Sequence, residues 1–156
     1  MPTRQNNHEQ PGDAIAMLKA DHQRVRDLVS QYEATNNQAT KRTLAAQVFM
    51  ELETHAQLEE NIFYPAVNEG TDEGPDLVKD SVQAHETVHQ LIQELQGMEH
   101  GSDAFDTKFH ALIRTVEHHV EEEESAMFPL AEQELSEDLD EIMEEMQEMK
   151  EDIQGA

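Results

Sequence analysis

Seven side chains in this sequence could bind metal, and their spacing is that of helices. They are His22, His55, Glu59, His85, His89, His119 and Glu123. Three pairs among them lie four residues apart, and residues at i and i+4 share one face of a helix. Each of these pairs can therefore direct two ligand atoms at the same ion.

One of the pairs, His85 and His89, belongs to a His-Glu-x-x-His motif that also occurs in zinc proteases. The longer protease signature HExxHxxGxxH fails, because Ile92 and Leu95 stand where Gly and His are needed. A zinc protease is therefore a remote alternative. The function depends instead on which elements bring all seven side chains together.

The elements that must position these side chains are helices. Apolar residues recur with a helical period along the chain, and no useful stretch alternates as a strand does. The spacing predicts helices over about residues 13–35 and 40–67, a third after the turn-rich segment 68–76, and a fourth capped by Ser102. We therefore predict an all-α fold, an up-down-up-down four-helix bundle. The aromatic side chains are predicted to pack in its core or at its ends, and they include Tyr32, Phe49, Phe63, Tyr64 and Phe128.

An internal repeat links the candidate ligands. The segment DHQRVRDL at 21–28 matches AHETVHQL at 84–91, and HAQLEENIFYP at 55–65 matches HVEEEESAMFP at 119–129. His22, His55 and Glu59 thus recur as His85, His119 and Glu123. At about 1.5 Å per residue, the histidines of neighbouring helices lie within about one turn of the same level. We predict one polar layer built from all four helices.

The ligand types restrict the metal. The chain has no cysteine, so any metal must bind histidine and carboxylate. Five imidazoles and two carboxylates are too many for one ion but suit two first-row metals bridged by the carboxylates. The mixed nitrogen and oxygen set favours iron, leaves manganese open, and is less natural for a structural zinc.

The pattern H, HxxxE, HxxxH, HxxxE, with the segments FYP and MFP, resembles the hemerythrin-like, or HHE cation-binding, proteins. The resemblance covers about residues 14–131 and implies a four-helix bundle with two non-haem iron ions and an oxo or hydroxo bridge. It implies that His85, His89 and His119 hold one iron, and that His22 and His55 hold the other. By the same resemblance Glu59 and Glu123 bridge the ions. The iron with fewer protein ligands would bind oxygen, peroxide, nitric oxide or azide.

The fourth helix departs from the oxygen-carrying members of that family. Those members have aspartate five residues after the fourth-helix histidine, where this chain has Glu124. The repeat aligns Glu123 with Glu59 and favours Glu123 as the bridge, with Glu124 as the alternative. Reversible oxygen carriage does not transfer directly, because a longer carboxylate alters the bridge and the pocket.

Two classes of function follow from the resemblance. As a binding protein, the chain would store, deliver or sense oxygen or nitric oxide, and this is the class that we favour. As an enzyme, it would decompose hydrogen peroxide as catalases do, or reduce another small oxidant. The net charge of −25 argues against nucleic acid and anionic membranes as partners. The sequence shows no apolar run long enough for a membrane span or a secretory signal, so we predict a cytoplasmic location.

The chain is predicted to have three parts. Residues 1–12 are expected to be a flexible N-terminus, residues 13–131 the bundle, and residues 132–156 an acidic C-terminal amphipathic helix. The apolar residues of that last helix recur at alternating spacings of three and four, and are Leu139, Ile142, Met146, Met149 and Ile153. We expect it to fold back onto the bundle, with dimerisation or docking to another protein as the alternative.

Overall fold

Helices make up the regular secondary structure of the described residues in the computed structural model. The structure describes residues 13–99 and 101–155, and the predicted flexible N-terminus, residues 1–12, lies outside them. Helix α1 spans Ala14–Ala34, α3 spans Gly74–Gln96, and α5 spans Leu139–Ile153. Helix α2 consists of Gln38–Leu58, a π-turn over Glu59–Phe63, and Tyr64–Gly70. Helix α4 consists of Asp103–Glu122, a π-turn over Glu123–Met127, and Phe128–Glu134. The predicted all-α bundle with an additional C-terminal helix is confirmed.

Polar side chains fix the start of three bundle helices. Asp13 accepts a hydrogen bond from the backbone N–H of Ala16, and Asn37 from that of Thr40. The Ser102 hydroxyl accepts one from the N–H of Phe105, as predicted. Each such cap stabilises a helix by about 1 kcal/mol. The connections are short, so successive helices lie beside each other in the bundle.

The two π-turns occupy matching places in α2 and α4. Each is followed at its second residue by proline, Pro65 in α2 and Pro129 in α4. Proline has no N–H to donate and its ring crowds the preceding turn. One hydrogen bond closes each π-turn. In α2 the N–H of Tyr64 donates to the carbonyl of Glu59, and in α4 the N–H of Phe128 donates to the carbonyl of Glu123. A π-turn adds one residue to a helical turn and is frequent at functional sites.

The core consists of two hydrophobic clusters. One includes Val25, Phe49 and Phe109, towards the end of the bundle where α1 meets α2. The other includes Leu18, Phe63 and Phe128, towards the opposite end. The buried histidines and glutamates lie between the two clusters along each helix. Apolar packing above and below therefore encloses a polar layer.

Helix α5 covers the second cluster. Its residues Leu139, Ile142 and Met146 are buried there with side chains of α1, α2 and α4. The amine of Lys150 lies 3.0 Å from the carboxylate of Asp21, which joins the outer helix to α1. The expectation that the C-terminal helix packs on its own bundle is met. Among the described residues, no helix is long and apolar enough to cross a membrane.

Candidate metal centre

Six of the seven predicted ligands meet in the polar layer. Each of the six residues is more than nine-tenths buried. Glu59 is 0% exposed and Glu123 is 1% exposed. The six are His22, His55, Glu59, His85, His119 and Glu123. They form two groups that share the glutamates, and we call these groups the first and the second quartet.

The first quartet consists of four atoms with no hydrogen-bond partner among the residues that the structure describes. These atoms are His22 Nε2, His55 Nε2, Glu59 Oε2 and Glu123 Oε1. His55 Nε2 lies 3.1 Å from Glu59 Oε2, and His22 Nε2 lies 3.2 Å from Glu123 Oε1. An unpaired buried polar atom costs about 1–3 kcal/mol. Four of them facing one another form a set of donor atoms that a single cation would satisfy.

The second quartet consists of one atom each from His85, His119 and Glu59, which lie within 4.8 Å of one another, together with Glu123 Oε2 beside His119. His85 Nε2 lies 3.0 Å from Glu59 Oε1, and His119 Nε2 lies 3.6 Å from Glu123 Oε2. Each glutamate thus places one oxygen in each quartet. This is the arrangement that two cations bridged by two carboxylates require.

Carboxylates outside the quartets orient three of the four buried histidines. Glu124 lies 2.7 Å from Nδ1 of His22, and Glu60 lies 2.6 Å from Nδ1 of His85. Asp21 lies 2.9 Å from Nδ1 of His55. An ionised carboxylate only accepts hydrogen bonds, so each Nδ1–H donates to its partner. A neutral ring held this way turns the lone pair of Nε2 towards its quartet, as metal-binding histidines do.

The two candidate glutamates of α4 lie in different surroundings. Glu123 is buried within both quartets, whereas Glu124 is partly exposed and accepts from the outer nitrogen of His22. The preference for Glu123 in the layer agrees with this placement. Glu124 takes the role of an orienting residue, and Glu60 takes the matching role for the other half of the repeat.

His89 does not join the layer, which corrects the prediction from spacing. Its side chain is 51% exposed and its Nδ1 lies 2.7 Å from Glu53 on α2. The buried stripe of α3 steps from His85 by three residues to Val88, so His89 falls outside it. His85 and His89 therefore point to different places, and the His-Glu-x-x-His motif does not converge on one ion.

The internal repeat already indicated that His89 is not a metal ligand. Its alignment places His89 opposite Arg26, which is not a metal ligand. In the structure Arg26 pairs with Glu117 at the surface, and Glu117 in turn is the repeat partner of Glu53. His89 with Glu53 is therefore the second copy of a surface ion pair.

Tyr64 occupies the place in the second quartet that we expected His89 to fill. Its phenol oxygen, Oη, lies 2.9 Å from Glu59 Oε1 and 2.6 Å from Glu123 Oε2. It also lies 3.3 Å from Nε2 of His85 and 3.3 Å from Nε2 of His119. The Tyr64 ring packs in the core, as predicted. The prediction did not include the contacts of its hydroxyl with the second quartet.

The π-turn explains why helical spacing missed Tyr64. In an α-helix, residues five apart differ by about 140° in direction, so Glu59 and Tyr64 would face different ways. The extra residue of the π-turn reduces that difference by about 100°. Tyr64 is thereby brought beside Glu59, and Pro65 was the one sequence signal of an irregular turn.

Burial and neighbouring charges shift the pKa values of the groups in the layer in opposing directions. Burial, reinforced by the neighbouring Glu59 carboxylate, raises the pKa of Glu123 to about 7. Burial, with the imidazoles of His85, His55 and His22, lowers the pKa of His119 to about 4 against the opposing effect of Glu59. Burial also acts to lower the pKa of His55, but Glu59 and Asp21 outweigh it and hold that pKa well above its usual range. A bound cation would reverse this competition, because it favours ionised carboxylates and neutral imidazoles.

A small enclosed cavity adjoins both quartets. Its volume is about 40 Å³, and all four buried histidines line it. Its other walls are mainly apolar side chains of the first hydrophobic cluster, including Val25, Leu52, Val88 and Val116. One water molecule needs about 10–15 Å³ on this measure. The cavity therefore has room for a molecule of two or three non-hydrogen atoms.

Comparisons with known proteins agree with this geometry. Residues 13–131 match the family model for the Hemerythrin HHE cation binding domain. A Hemerythrin HHE cation binding domain-containing protein from Mycobacterium kansasii shares the fold, with a TM-score of 0.79 over 92% of this chain and 88% of that one, at 22% identity.

The chain also matches part of two longer proteins. The chain is 24% identical to an uncharacterised hemerythrin-like protein from Schizosaccharomyces pombe over 119 residues, 76% of this chain and 59% of that protein. It is 23% identical to a DNA nickase from Nostoc sp. over 124 residues, 80% of this chain and 35% of that protein. The chain thus spans less than two thirds of either relative.

Proposed function

The chain belongs to the hemerythrin HHE cation-binding domain family, and from this premise we propose that its two quartets hold two iron ions that bind a small ligand. The first iron would be held by His22 and His55, the second by His85 and His119. Glu59 and Glu123 would bridge the two. In this proposal His89 has no part in the site.

The observation that carries the proposal is the set of orphaned atoms in the first quartet. Two imidazole nitrogens and two carboxylate oxygens lie within 4.8 Å of one another, all buried. Neutral hydrogen bonding does not satisfy them, whereas one cation would satisfy all four. The mixed nitrogen and oxygen donors suit iron among the first-row metals.

The residues of the chain have separate tasks in this site. Glu124, Asp21 and Glu60 hold three imidazoles in the orientation that metal binding needs. Glu59 and Glu123 supply two negative charges, which would offset part of the charge of two cations. When bound, the iron pair supplies ligand binding coupled to a change of oxidation state.

The cavity supports a small ligand. About 40 Å³ of space accommodates oxygen, nitric oxide or hydrogen peroxide and excludes larger substrates. Asp21, Glu53 and Glu117 also line the cavity, so its wall is not wholly apolar. Its valine and leucine side chains limit the number of water molecules that could carry protons to the bound ligand.

Iron analysis and ligand titration test the proposal. Chelated protein, reconstituted anaerobically with ferrous iron and freed of excess, should contain close to two irons per chain. The reduced form should change its absorption reversibly with oxygen or nitric oxide. Steady release of oxygen from added hydrogen peroxide would instead favour the catalase-like enzyme. Folded protein that retains one iron or none would contradict the two-iron centre.

The similarity to a DNA nickase is tested by a separate plasmid-nicking assay. The chain spans 35% of that protein, and its net charge of −25 opposes binding to DNA phosphates. We therefore expect the iron-loaded protein to leave supercoiled plasmid intact. Nicking that depends on Glu59 would transfer the relative's activity to this chain.

A further inference from the structure

The phenol oxygen of Tyr64 is surrounded by more acceptors than one hydroxyl can satisfy. All four atoms of the second quartet lie 2.6–3.3 Å from it. A phenol has one proton and can donate it to one acceptor. Because Glu60 accepts from Nδ1 of His85, the Nε2 of a neutral His85 is itself an acceptor. The single phenol proton can therefore satisfy one of the four atoms that surround the phenol oxygen.

The distances fit a shared metal ion instead. Ligand atoms sit about 2.1 Å from a first-row metal. Two ligands at right angles on such an ion are consequently about 3 Å apart, and each ligand of an octahedral ion has four neighbours at that distance. Tyr64 Oη has four such neighbours, two carboxylate oxygens and two imidazole nitrogens.

Its surroundings hold the phenol in place. Tyr64 is 1% exposed, and its ring stacks on that of His85 with centroids 5.4 Å apart. Burial and the carboxylates of Glu59 and Glu123 raise the pKa of the Tyr64 phenol, and a hydrogen bond with Ser81, one turn before His85, acts against that rise. A cation held by the second quartet would also act against it, because a cation favours the ionised form of its ligands.

We propose that Tyr64 is a ligand of the second metal ion, through its ionised phenol oxygen. This inference rests on the proposed two-metal centre. It goes beyond that proposal because it gives the two ions different numbers of protein ligands. The second ion would have five protein ligand atoms and the first ion four. The small ligand would then bind at the first ion.

The other half of the repeat lacks these polar groups. The positions that match Tyr64 and Ser81 are Phe128 and Leu18, both buried and apolar. The ring of Phe128 stacks on His22 with centroids 5.9 Å apart, as that of Tyr64 stacks on His85. The same backbone position therefore offers an oxygen to the second ion and a hydrocarbon ring to the first.

Spectroscopy of the oxidised, iron-loaded protein tests this inference, because phenolate bound to ferric iron absorbs visible light. The chain has two tyrosines, Tyr32 and Tyr64. Resonance Raman spectra excited in that band should contain tyrosine ring vibrations, and these should shift when ring-deuterated tyrosine is incorporated. Tyr32→Phe should retain the band, and any tyrosine signal in that variant must arise from Tyr64. Tyr64→Phe should lose the band completely.

The outcomes separate this inference from the function on which it rests. A wild-type protein with two irons but no tyrosine vibrations overturns the Tyr64 ligand and leaves the two-iron centre standing. A protein that binds fewer than two irons overturns both. If Tyr64→Phe folds poorly, Tyr64→His supplies another ligand atom and should keep two irons without the tyrosine band. Survival of the band in either Tyr64 variant also overturns the inference.

Discussion

The two quartets are built from the same residue types at matching positions, yet their surroundings differ. Each has two histidines, one oxygen from Glu59 and one from Glu123, with an outer glutamate on the α1 or α3 histidine. Around the first quartet lie Asp21, Leu18 and Phe128, and around the second lie Ala84, Ser81 and Tyr64. The repeat thus preserves the groups that hold metal and varies the groups beside them.

This difference suggests how one duplicated scaffold gives two unlike sites. Asp21 gives His55 a charged partner, whereas the matching methyl group of Ala84 cannot accept a hydrogen bond. Tyr64 brings an oxygen to the second quartet where Phe128 brings none to the first. The first site therefore has the better oriented histidines, and the second has the extra oxygen. Four substitutions test this comparison, in order of decreasing expected effect.

Glu59→Gln should have the largest effect, because Glu59 contributes to both quartets. An amide presents one oxygen and one NH₂ group, and the NH₂ group cannot bind a cation. We expect the iron content to fall from two per chain to one or less. Iron analysis after anaerobic reconstitution measures this, with circular dichroism to verify folding. Glu86→Gln is the control, since Glu86 is exposed on α3 and should keep both irons. Two firmly bound irons in Glu59→Gln would refute the shared bridge.

Asp21→Ala gives the first quartet the outer surroundings of the second. His55 loses its orienting carboxylate, a change that typically weakens metal binding about 10–100-fold. One of the two irons should therefore become labile in a chelator competition, while the other is unchanged. Asp21 also pairs with Arg24 and Lys150, so Lys150→Gln is the control for lost contact with α5. Equal losses in both variants would assign the effect to the C-terminal helix.

Phe128→Tyr gives the first quartet the phenol of the second. Phe128 lies on the opposite side of the first quartet from the cavity, so the new hydroxyl would compete with the small ligand for the first ion without entering the cavity. We expect two irons, weaker azide binding and a stronger tyrosine band, with about 1–3 kcal/mol of destabilisation from the added atom. Azide titration followed by absorption measures the competition. Phe49→Tyr, in the other hydrophobic cluster, is the matched control. Unchanged azide affinity would mean that the new hydroxyl does not reach the first ion.

The sequence predicts the features that the two quartets share. Helix period, capping residues and the repeat are local or simply periodic signals, and they predict the bundle and the shared depth of His22, His55, His85 and His119. Depth along a helix follows from counting residues, because every residue adds about the same rise. Counting was therefore enough to bring six ligands together.

Direction around a helix is harder to predict than depth. A buried stripe steps by three or four residues, so spacing alone left Val88 and His89 as rivals for the inward position. The π-turn then shifts every later residue by about 100°, which concealed Tyr64. The outer carboxylates Glu60, Glu124 and Asp21 depend on contacts between helices, which no spacing within one helix reveals.

His89→Ala should have the smallest effect, and it tests the correction directly. His89 lies on the surface with Glu53, and exposed ion pairs contribute about 0–1 kcal/mol to stability. The variant should keep two irons and an unchanged visible spectrum, and its melting temperature should shift by little. Arg26→Ala removes the matching ion pair with Glu117 and should behave the same way, because the repeat makes the two pairs equivalent. His85→Ala is the contrasting variant and should lose the second iron. If His89→Ala loses an iron and Arg26→Ala does not, then His89 turns inward when metal binds. That result would replace Tyr64 with His89 as the additional ligand of the second ion.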